Sequence, residues 1–313
     1  MSKTGLDRPT APNRATTANE RPALVPVDDE TIFGVLTCPT VAPNGVGVVV
    51  ASGGSTQSAG RNRIWARMAR DLAGLGYHSM RFDWRGEGES TGRTLYYRLE
   101  EPLTSDLVGI LGPLWQEQVS KVMMVGMCFG ARTAMSAALE LGDEVGGIAL
   151  LAPPVRDFAK GERRISRPWS WYLRRALTPR GLARLLRRDQ RQSAAGILRQ
   201  KWKRRNQVAP DGRSRNPNAH RVSPHFLDQL DQLVDRGVPV MFVFGEVDDF
   251  HDDFKQGESG RLGEILRRAG DLITVRLVDA RVHALVDRTE QDVVTDEITA
   301  WLERLRDRAD QGS

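Results

Sequence analysis

The chain has 313 residues, of which 40% are hydrophobic, and a formal net charge of +5 at pH 7. This length allows one large α/β domain with an insertion or two domains, and no run of about 20 apolar residues indicates a membrane-spanning helix. The polar first 24 residues contain no apolar signal-peptide region. The two cysteines, Cys38 and Cys128, are too far apart to indicate a disulfide framework, and no Cys and His cluster has metal-ligand spacing. We therefore expect a cytoplasmic protein without a metal or a cofactor.

The positive charge is concentrated in one segment of the sequence. Residues 156–221 contain 20 Lys and Arg residues against four acidic residues, a net charge of +16, whereas the rest of the chain carries −11. The basic composition therefore describes this segment and not the protein as a whole.

Strands and helices are predicted to alternate along the first half of the chain. Residues 1–24 are rich in Thr, Pro, Asn and Arg and are predicted to form a disordered N-terminal arm. Beyond them, short apolar runs typical of buried strands alternate with apolar residues at helical spacing. The predicted strands are 31–38, 46–52, 77–84, 122–125 and 145–151, and the predicted helices are 62–75, 105–117 and 131–141.

The alternation is interrupted once and then resumes. Residues 156–222 are Arg-rich and helical in pattern, and we interpret them as a cap inserted into a core formed by residues 25–155 and 223–313. The strands predicted after the cap are 238–244 and 272–278, and the helices are 224–236, 260–269 and 289–308. This order predicts an α/β fold with a mostly parallel, doubly wound sheet, whose reactive groups gather at the carboxyl ends of the strands.

One predicted strand is followed at once by Gly126-Met-Cys-Phe-Gly130 and then by a helix. This is the G-x-C-x-G form of the nucleophile elbow, with cysteine where serine usually stands. A strand that turns directly into a helix strains the central residue, and side chains two positions to either side would collide, so glycine is required there. The pattern predicts that Cys128 is exposed above the sheet, at the N-terminus of the following helix.

A carboxylate follows the predicted strand 238–244, within Gly245-Glu-Val-Asp-Asp249. Asp248, three residues beyond Gly245, is our candidate for the acid of a catalytic triad, and Asp249 and Glu246 remain alternatives. The strand-end position is the reason for the choice, because carboxyl ends of parallel strands meet at one edge of a sheet.

A histidine follows the last predicted strand, 272–278, within Asp279-Ala-Arg-Val-His283. His283 therefore stands where a triad needs its base. The competing residue is His251, which follows the candidate acid too closely to approach the elbow from the opposite side, and we interpret it as part of a solvated loop.

The order nucleophile, acid, histidine resembles the α/β-hydrolase fold superfamily over roughly residues 28–310. The stretch Arg81-Phe-Asp-Trp-Arg-Gly-Glu-Gly-Glu-Ser90 is similar to a loop of the serine-aminopeptidase-S33-like branch. Phe33-Gly-Val-Leu, Ser52-Gly-Gly, the Cys elbow and the Arg-rich cap resemble hydrolases that accompany exosortase systems. The Cys elbow also resembles that of dienelactone hydrolases, which lack such a cap. Two departures from the pattern are Phe129, where an acidic residue is usual, and Ser52-Gly53 in place of His-Gly.

The resemblance implies roles for particular residues. Cys128 is the expected nucleophile, His283 the base and Asp248 the residue that orients the histidine. The backbone N–H groups of Phe129 and Gly54 are the expected oxyanion hole, with Ser55 as the alternative to Gly54.

A cysteine nucleophile implies a thioacyl-enzyme formed from an ester or an acyl-thioester, and hence a thioesterase, an esterase or an acyltransferase. A thioester intermediate does not suit amide cleavage. The basic cap is either a hydrated lid or a docking surface for an acidic acyl-carrier protein or for the phosphates of CoA. Contact with an anionic membrane surface is a less favoured alternative, suggested by Trp169, Trp171, Tyr172 and Trp202, and nucleic acid is not expected. A different class of function, a non-catalytic relative that binds an acidic partner through the cap, also remains open.

Overall fold

The computed structural model describes residues 18–54, 56–93, 97–157, 222–246 and 248–311. Strands and helices alternate through these ranges, as the pattern of apolar runs predicts. The strands are β1 (Asn19–Val27), β2 (Glu30–Cys38), β3 (Val46–Ala51), β4 (His78–Phe82), β5 (Lys121–Met127), β6 (Val145–Leu151), β7 (Val240–Gly245) and β8 (Ile273–Val278). The helices of the described ranges are α1 (Ile64–Ala73), α2 (Thr104–Gly109), α3 (Gly112–Gln116), α4 (Phe129–Leu141), α5 (Pro224–Asp235), α6 (Asp249–Gly257), α7 (Arg261–Ala269) and α8 (Arg288–Gln311).

The strands form one eight-stranded sheet in the order β1-β2-β4-β3-β5-β6-β7-β8. β1 pairs antiparallel with β2 and β2 pairs antiparallel with β4, whereas every pair from β4 to β8 is parallel. β5 lies between β3 and β6, with Val125 opposite Val50 on one side and Ala149 on the other. The expected mostly parallel α/β sheet is confirmed, and the elbow follows one of its central strands.

Helices cover both faces of the sheet, so its inner strands are buried on two sides. α4 packs against α2 and α5, and α1 packs against α8. The residues from Val48 to Ala51 in β3 are 1% exposed or less. This burial explains why the inner strands read as unbroken apolar runs in the sequence, since neither face needs polar side chains.

Strand β1 begins inside the segment that composition predicts to be disordered. Asn19–Val27 pair along their whole length with β2, so the predicted arm over residues 1–24 is wrong for its last part. Pro22 and Pro26 obscure the strand in the sequence because proline lacks an N–H donor, but β1 is an edge strand, where one side of the backbone needs no partner. Residues 1–17 lie outside the described residues.

The single helix predicted over residues 105–117 is two short helices, α2 and α3. α3 starts with Gly112 and Pro113, and proline is tolerated only in the first turn of a helix because its ring clashes with the preceding turn. Gly109 ends α2 close to β1: a β-carbon at Gly109 would lie 2.4 Å from a methyl group of Val27. No helix in the described ranges combines the length and the apolar content needed to cross a bilayer.

The chain leaves the sheet after β6 and returns before α5. The backbone N–H of Ser223 donates a hydrogen bond of 2.8 Å to the carbonyl of Val155, so the two ends of the intervening segment meet. The unit that carries the sheet comprises residues 1–155 and 222–313. Apart from Arg156, Asp157 and Val222, the predicted cap lies outside the described residues, and its helical structure stays a prediction.

Candidate active site

Cys128 occupies the turn between β5 and α4 in a strained backbone conformation. Its φ is 51° and its ψ is −112°, values that a residue with a side chain rarely adopts. A β-carbon at Gly126 would lie 2.6 Å from the Cα of Ala131, and one at Gly130 would lie 2.1 Å from the carbonyl oxygen of Ala51. The glycine spacing of the elbow therefore has the steric cause that the sequence predicts, and the half-buried Cys128 side chain sits at the N-terminus of α4.

The candidate oxyanion segment follows β3 and lies beside the elbow. A β-carbon at Gly53 would be 3.7 Å from the Cβ of Cys128, and one at Gly54 would be 2.5 Å from the ring of Tyr97. Phe129 is the first residue of α4, so its N–H has no acceptor within the helix. Gly53 thus lies beside Cys128, Gly54 and Phe129 are the next residues along their two segments, and the alternative donor, Ser55, lies outside the described residues.

Two aromatic side chains, those of Trp84 and Tyr97, contact the candidate oxyanion segment and Phe129. Trp84 donates from Nε1 to the carbonyl of Ser52 at 3.1 Å, and its ring packs edge-on against Phe129 at 5.5 Å between ring centroids. The ring of Tyr97 also packs against the ring of Phe129, at 4.7 Å between centroids, and the Tyr97 hydroxyl donates a hydrogen bond of 3.0 Å to the carboxylate of Glu87. Sequence reasoning missed Tyr97, because no local pattern indicates that its ring lies over Gly54.

Asp248 is the buried carboxylate at the end of β7. It is 7% exposed, whereas the alternatives Glu246 and Asp249 are exposed. Its Oδ2 accepts a hydrogen bond from the N–H of Gly245 at 3.0 Å and a second one from the N–H of His283 at 3.3 Å. The carboxylate therefore ties the end of β7 to the turn that carries the candidate base.

His283 is exposed on the turn that follows β8. Its ring packs against that of Phe250 at 4.7 Å between centroids, with 57° between the ring planes, and Phe250 is 3% exposed. A buried ring thus limits the orientations of the imidazole. Phe250 belongs to α6, a helix that the sequence analysis does not predict.

The turn around His283 is held by side chains from two other elements. Arg61 donates to the carbonyl of Ala284 at 3.2 Å, and Asn62 donates to that of Val286 at 2.7 Å. Between them, the fully buried Gln291 of α8 donates to the carbonyl of Leu285 at 2.7 Å. Three consecutive carbonyls are therefore fixed from outside the turn, which limits the movement of the backbone that carries the candidate base.

The competing histidine, His251, lies on α6 and not in the solvated loop that the sequence predicts. Its ring packs against Phe244 at 5.5 Å between centroids. Phe254 packs against the same Phe244 ring at 5.0 Å, and Phe250 and Phe254 are the buried residues of this helix. The four-residue spacing of these phenylalanines is the helical signal in the sequence, and the intervening carboxylates conceal it.

Replacing His251 with phenylalanine should make stability less dependent on pH. Burial lowers the pKa of His251, and the charge of Lys255 lowers it further. Because the pKa of His251 is lower in the folded chain than in the unfolded chain, where it is about 6.5, the unfolded chain binds more protons as the pH falls. The stabilisation is therefore complete above the unfolded pKa and is lost as the pH falls through the lower, folded pKa. His251→Phe keeps a ring against Phe244 and removes the titration. Urea unfolding at pH 7.5 and 5.5 should show that His251→Phe loses less stability between the two pH values than the wild type does. An equal loss in both proteins would contradict a lowered pKa for His251.

The three candidate residues follow the carboxyl ends of parallel strands. Cys128 follows β5, Asp248 follows β7 and His283 follows β8, so all three lie at one edge of the sheet. Asp248 directly contacts the backbone of His283. Their joint action as a triad stays a prediction.

Solved structures of similar fold include several esterases. An esterase from Pyrococcus furiosus matches with a TM-score of 0.58 and 14% identity over 92% of this chain and 93% of that chain. A thermophilic esterase from Thermogutta terrifontis matches with a TM-score of 0.51 and 16% identity over 92% of this chain and 100% of that chain. A monoacylglycerol lipase from Paleococcus ferrophilus matches with a TM-score of 0.50 and 18% identity over 88% and 99%. These likenesses show the α/β-hydrolase fold, and no curated protein matches the chain.

The family comparison covers most of the sheet and the candidate site. The family model described as "Serine aminopeptidase, S33" matches residues 44–288, a range that begins before β3 and ends beyond His283. The matched range includes the elbow, which carries a cysteine in this chain, although the family description names a serine enzyme. The chain therefore belongs to the serine aminopeptidase S33 family of the α/β-hydrolase superfamily.

Proposed function

We propose that this member of a hydrolase family is an acyl-transfer enzyme, a thioesterase, an esterase or an acyltransferase, that forms a covalent thioester at Cys128. The observation that carries the proposal is the strained backbone of Cys128, with φ of 51°, between glycines that no larger residue can replace without a clash. Such strain persists where the surrounding structure enforces it, and it is concentrated at functional sites. A buried structural cysteine needs neither the strain nor the position at a helix N-terminus.

The proposed reaction has two halves that together balance. Sγ of Cys128 attacks the carbonyl carbon of an ester or thioester, its proton passes to His283, and the leaving alcohol or thiol receives that proton as its bond to carbon breaks. The product of this half is a thioacyl-enzyme. Water, or an acceptor alcohol, amine or thiol, then attacks the thioester, and the proton that it loses returns through His283 to the sulfur of Cys128.

The neighbouring groups have distinct tasks in this proposal. The helix N-terminus and a protonated His283 favour the thiolate of Cys128. The N–H groups of Phe129 and Gly54 stabilise the oxyanion, and the loss of one such donor typically raises the barrier by roughly 3 kcal/mol. Asp248 holds the tautomer of His283 and stabilises its imidazolium form.

The substrate class follows from the sulfur. Exchange between an incoming thioester and the thiol of Cys128 is close to neutral in energy, whereas an amide would have to form a less stable thioester. The proposal is therefore an ester or acyl-thioester substrate in a reducing cytoplasm, for which formation of the thioacyl-enzyme is easier than it is for a peptide. The net charge of +16 on residues 156–221 supports an acidic acyl-carrier protein or CoA as the donor.

Capture of the acyl-enzyme tests the proposal directly. The protein is incubated with esters and acyl-thioesters of varied chain length, and intact mass is followed by peptide mapping, which separates Cys128 from Cys38. We expect an acyl adduct on Cys128 that is absent from Cys128→Ala. Absence of an adduct with every donor, together with full turnover by Cys128→Ala, would exclude the mechanism; absence of both adduct and turnover would favour a non-catalytic binder.

Asp248→Asn should lower kcat by up to about 10⁴-fold with little loss of stability. Asparagine keeps the shape and an acceptor oxygen for the N–H groups of Gly245 and His283, but it removes the charge that stabilises an imidazolium. Initial rates across pH and the urea midpoint separate the chemical effect from the structural one.

Asp249→Asn is the matched control, one residue further along. Asp249 is exposed in the first turn of α6, where a carboxylate contributes only about 0.3–1 kcal/mol through the helix dipole. We expect its rate to stay near that of the wild type. The opposite ranking of the two variants would identify Asp249 as the acid.

A further inference from the structure

A second group of reactive side chains lies at the opposite edge of the sheet from Cys128. Cys38 is the last residue of β2, His78 is the first residue of β4, and Glu117 directly follows α3. β4 is parallel to β5 through β3, so its first residue lies at the amino edge, whereas Cys128 follows the carboxyl end of β5. Sequence spacing gives no sign of this group, because its members are brought together by the pairing of β2 with β4.

The three side chains converge closely. One donor atom from each, the sulfur, a ring nitrogen and a carboxylate oxygen, lies within 4.8 Å of the other two. His78 is 4% exposed, and its Nδ1 has no hydrogen-bond partner among the described residues. Its Nε2 is 3.6 Å from Oε2 of Glu117, longer than a hydrogen bond. The Glu117 carboxylate therefore compensates the burial of this imidazole only in part, because Nδ1 is left without a partner among the described residues.

The positively charged side chain of Arg21 lies against Cys38 and Glu117 of this group. A terminal nitrogen of Arg21 donates to Sγ of Cys38 at 3.2 Å and also pairs with Oε1 of Glu117. The Arg21 side chain is 49% exposed, so it can turn outward without leaving a cavity. Arg21 and Glu117 also line a surface groove of about 380 Å³, so the Glu117 side of the cluster borders open space.

We propose that Cys38, His78 and Glu117 bind a divalent cation of the zinc type, with water as the fourth ligand. Thiolate, imidazole and carboxylate together suit Zn²⁺, whereas Mg²⁺ and Ca²⁺ prefer oxygen alone. Tetrahedral ligand bonds of about 2.0–2.3 Å place donor atoms about 3.5 Å apart, so atoms that now lie within 4.8 Å of one another must close by up to about 1.4 Å. The metal replaces the thiol proton of Cys38, which passes to solvent, and Arg21 turns away; no electron is transferred.

The position of the site indicates a role in stability and not in the proposed acyl transfer. It joins β2, β4 and the end of α3 at the edge far from the nucleophile, and it includes no residue of the proposed triad. Binding to the folded chain alone stabilises that state, so the melting temperature should rise with the logarithm of zinc concentration. This proposal does not depend on the acyl-transfer mechanism.

The test uses the full-length Cys128→Ser protein, in which Cys38 is the only thiol. Zn²⁺ should slow alkylation of Cys38 by at least about tenfold, and Co²⁺ should give a thiolate-to-metal charge-transfer band. Glu117→Gln should weaken Zn²⁺ binding about tenfold or more, and Arg21→Gln should strengthen it because the competing cation is gone. Glu101→Gln, which removes an exposed carboxylate paired with Arg98, is the control and should bind as tightly as its parent.

Two results would overturn the proposal. Unchanged alkylation with no cobalt band would mean that Cys38, His78 and Glu117 form only an ion-pair group around Arg21. Protection that survives Glu117→Gln at full strength would mean that the metal binds Cys38 outside this site. In the wild-type protein, peptide mapping separates Cys38 from Cys128, so the protection of Cys38 by Zn²⁺ can also be measured without the Cys128 substitution.

Discussion

Cys128→Ala is expected to lower kcat for acyl turnover by a factor of roughly 10⁴ to 10⁶, because removal of a covalent nucleophile abolishes the two-step route. Alanine and cysteine should be equally strained at this turn, because both carry a β-carbon at the same positive φ of 51°. Stability should therefore change little, and the loss should lie in kcat. Steady-state rates with the donor identified by acyl capture provide the measurement.

His283→Ala and the double variant show whether the two residues act together. If the sulfur and the imidazole form one catalytic unit, each single variant should lose nearly as much as the double variant, because removing either already disables the unit. Additive losses would mean independent roles and would count against a shared proton. A Cys128→Ala protein that turns over at the wild-type rate would exclude the thioacyl mechanism altogether.

The parts of this fold that depend on local pattern are predictable from the sequence. Strand β6 has the predicted bounds of 145–151, because a strand covered on both faces is a continuous apolar run. The elbow is predictable for a related reason. Gly126 is dictated by a contact within the turn itself, where a β-carbon would meet the backbone of Ala131 five residues later. Gly130 is dictated by the backbone of Ala51 at the end of β3, and only the known spacing of the elbow predicts it from the sequence.

The parts that depend on distant partners are not predictable in this way. β1 is a strand because β2 lies beside it, and its own prolines indicate the contrary. The cluster of Cys38, His78 and Glu117 exists only once β2 pairs with β4. Composition and spacing contain no information on such pairings, since they arise from the fold as a whole.

The choice of acid shows what structure adds at the site. Sequence leaves Asp248, Asp249 and Glu246 open, because all three follow the same strand. Burial separates them, since Asp248 alone of the three is buried and accepts the N–H of His283. The role of Asp248 is still a proposal, and the paired asparagine variants decide it.

Gly130→Ala is expected to destabilise the fold by roughly 3 kcal/mol or more, the level of strong overpacking. Its β-carbon would lie 2.1 Å from the carbonyl oxygen of Ala51 and 2.5 Å from that of Ser52. Both atoms are backbone, so no side chain can rotate away, and either α4 or the end of β3 must move. Urea unfolding should show a lower midpoint with an unchanged slope.

Gly112→Ala is the matched control because it adds the same methyl group to another helix. No atom other than those of its chain neighbours lies within 4 Å of a β-carbon there, so a gain of about 0.4–1 kcal/mol from the less flexible unfolded chain is expected. The ring of Pro113 disfavours a helical residue with a β-carbon before it and offsets this gain, so the net change should be close to zero. The two alanines therefore separate steric overlap from the general effect of losing a glycine. If Gly130→Ala were as stable as Gly112→Ala, the close approach of α4 to β3 would be wrong. The proposed oxyanion hole would then lose its support as well, because it requires α4, which begins with Phe129, to lie against the segment that leads from β3 to Gly54.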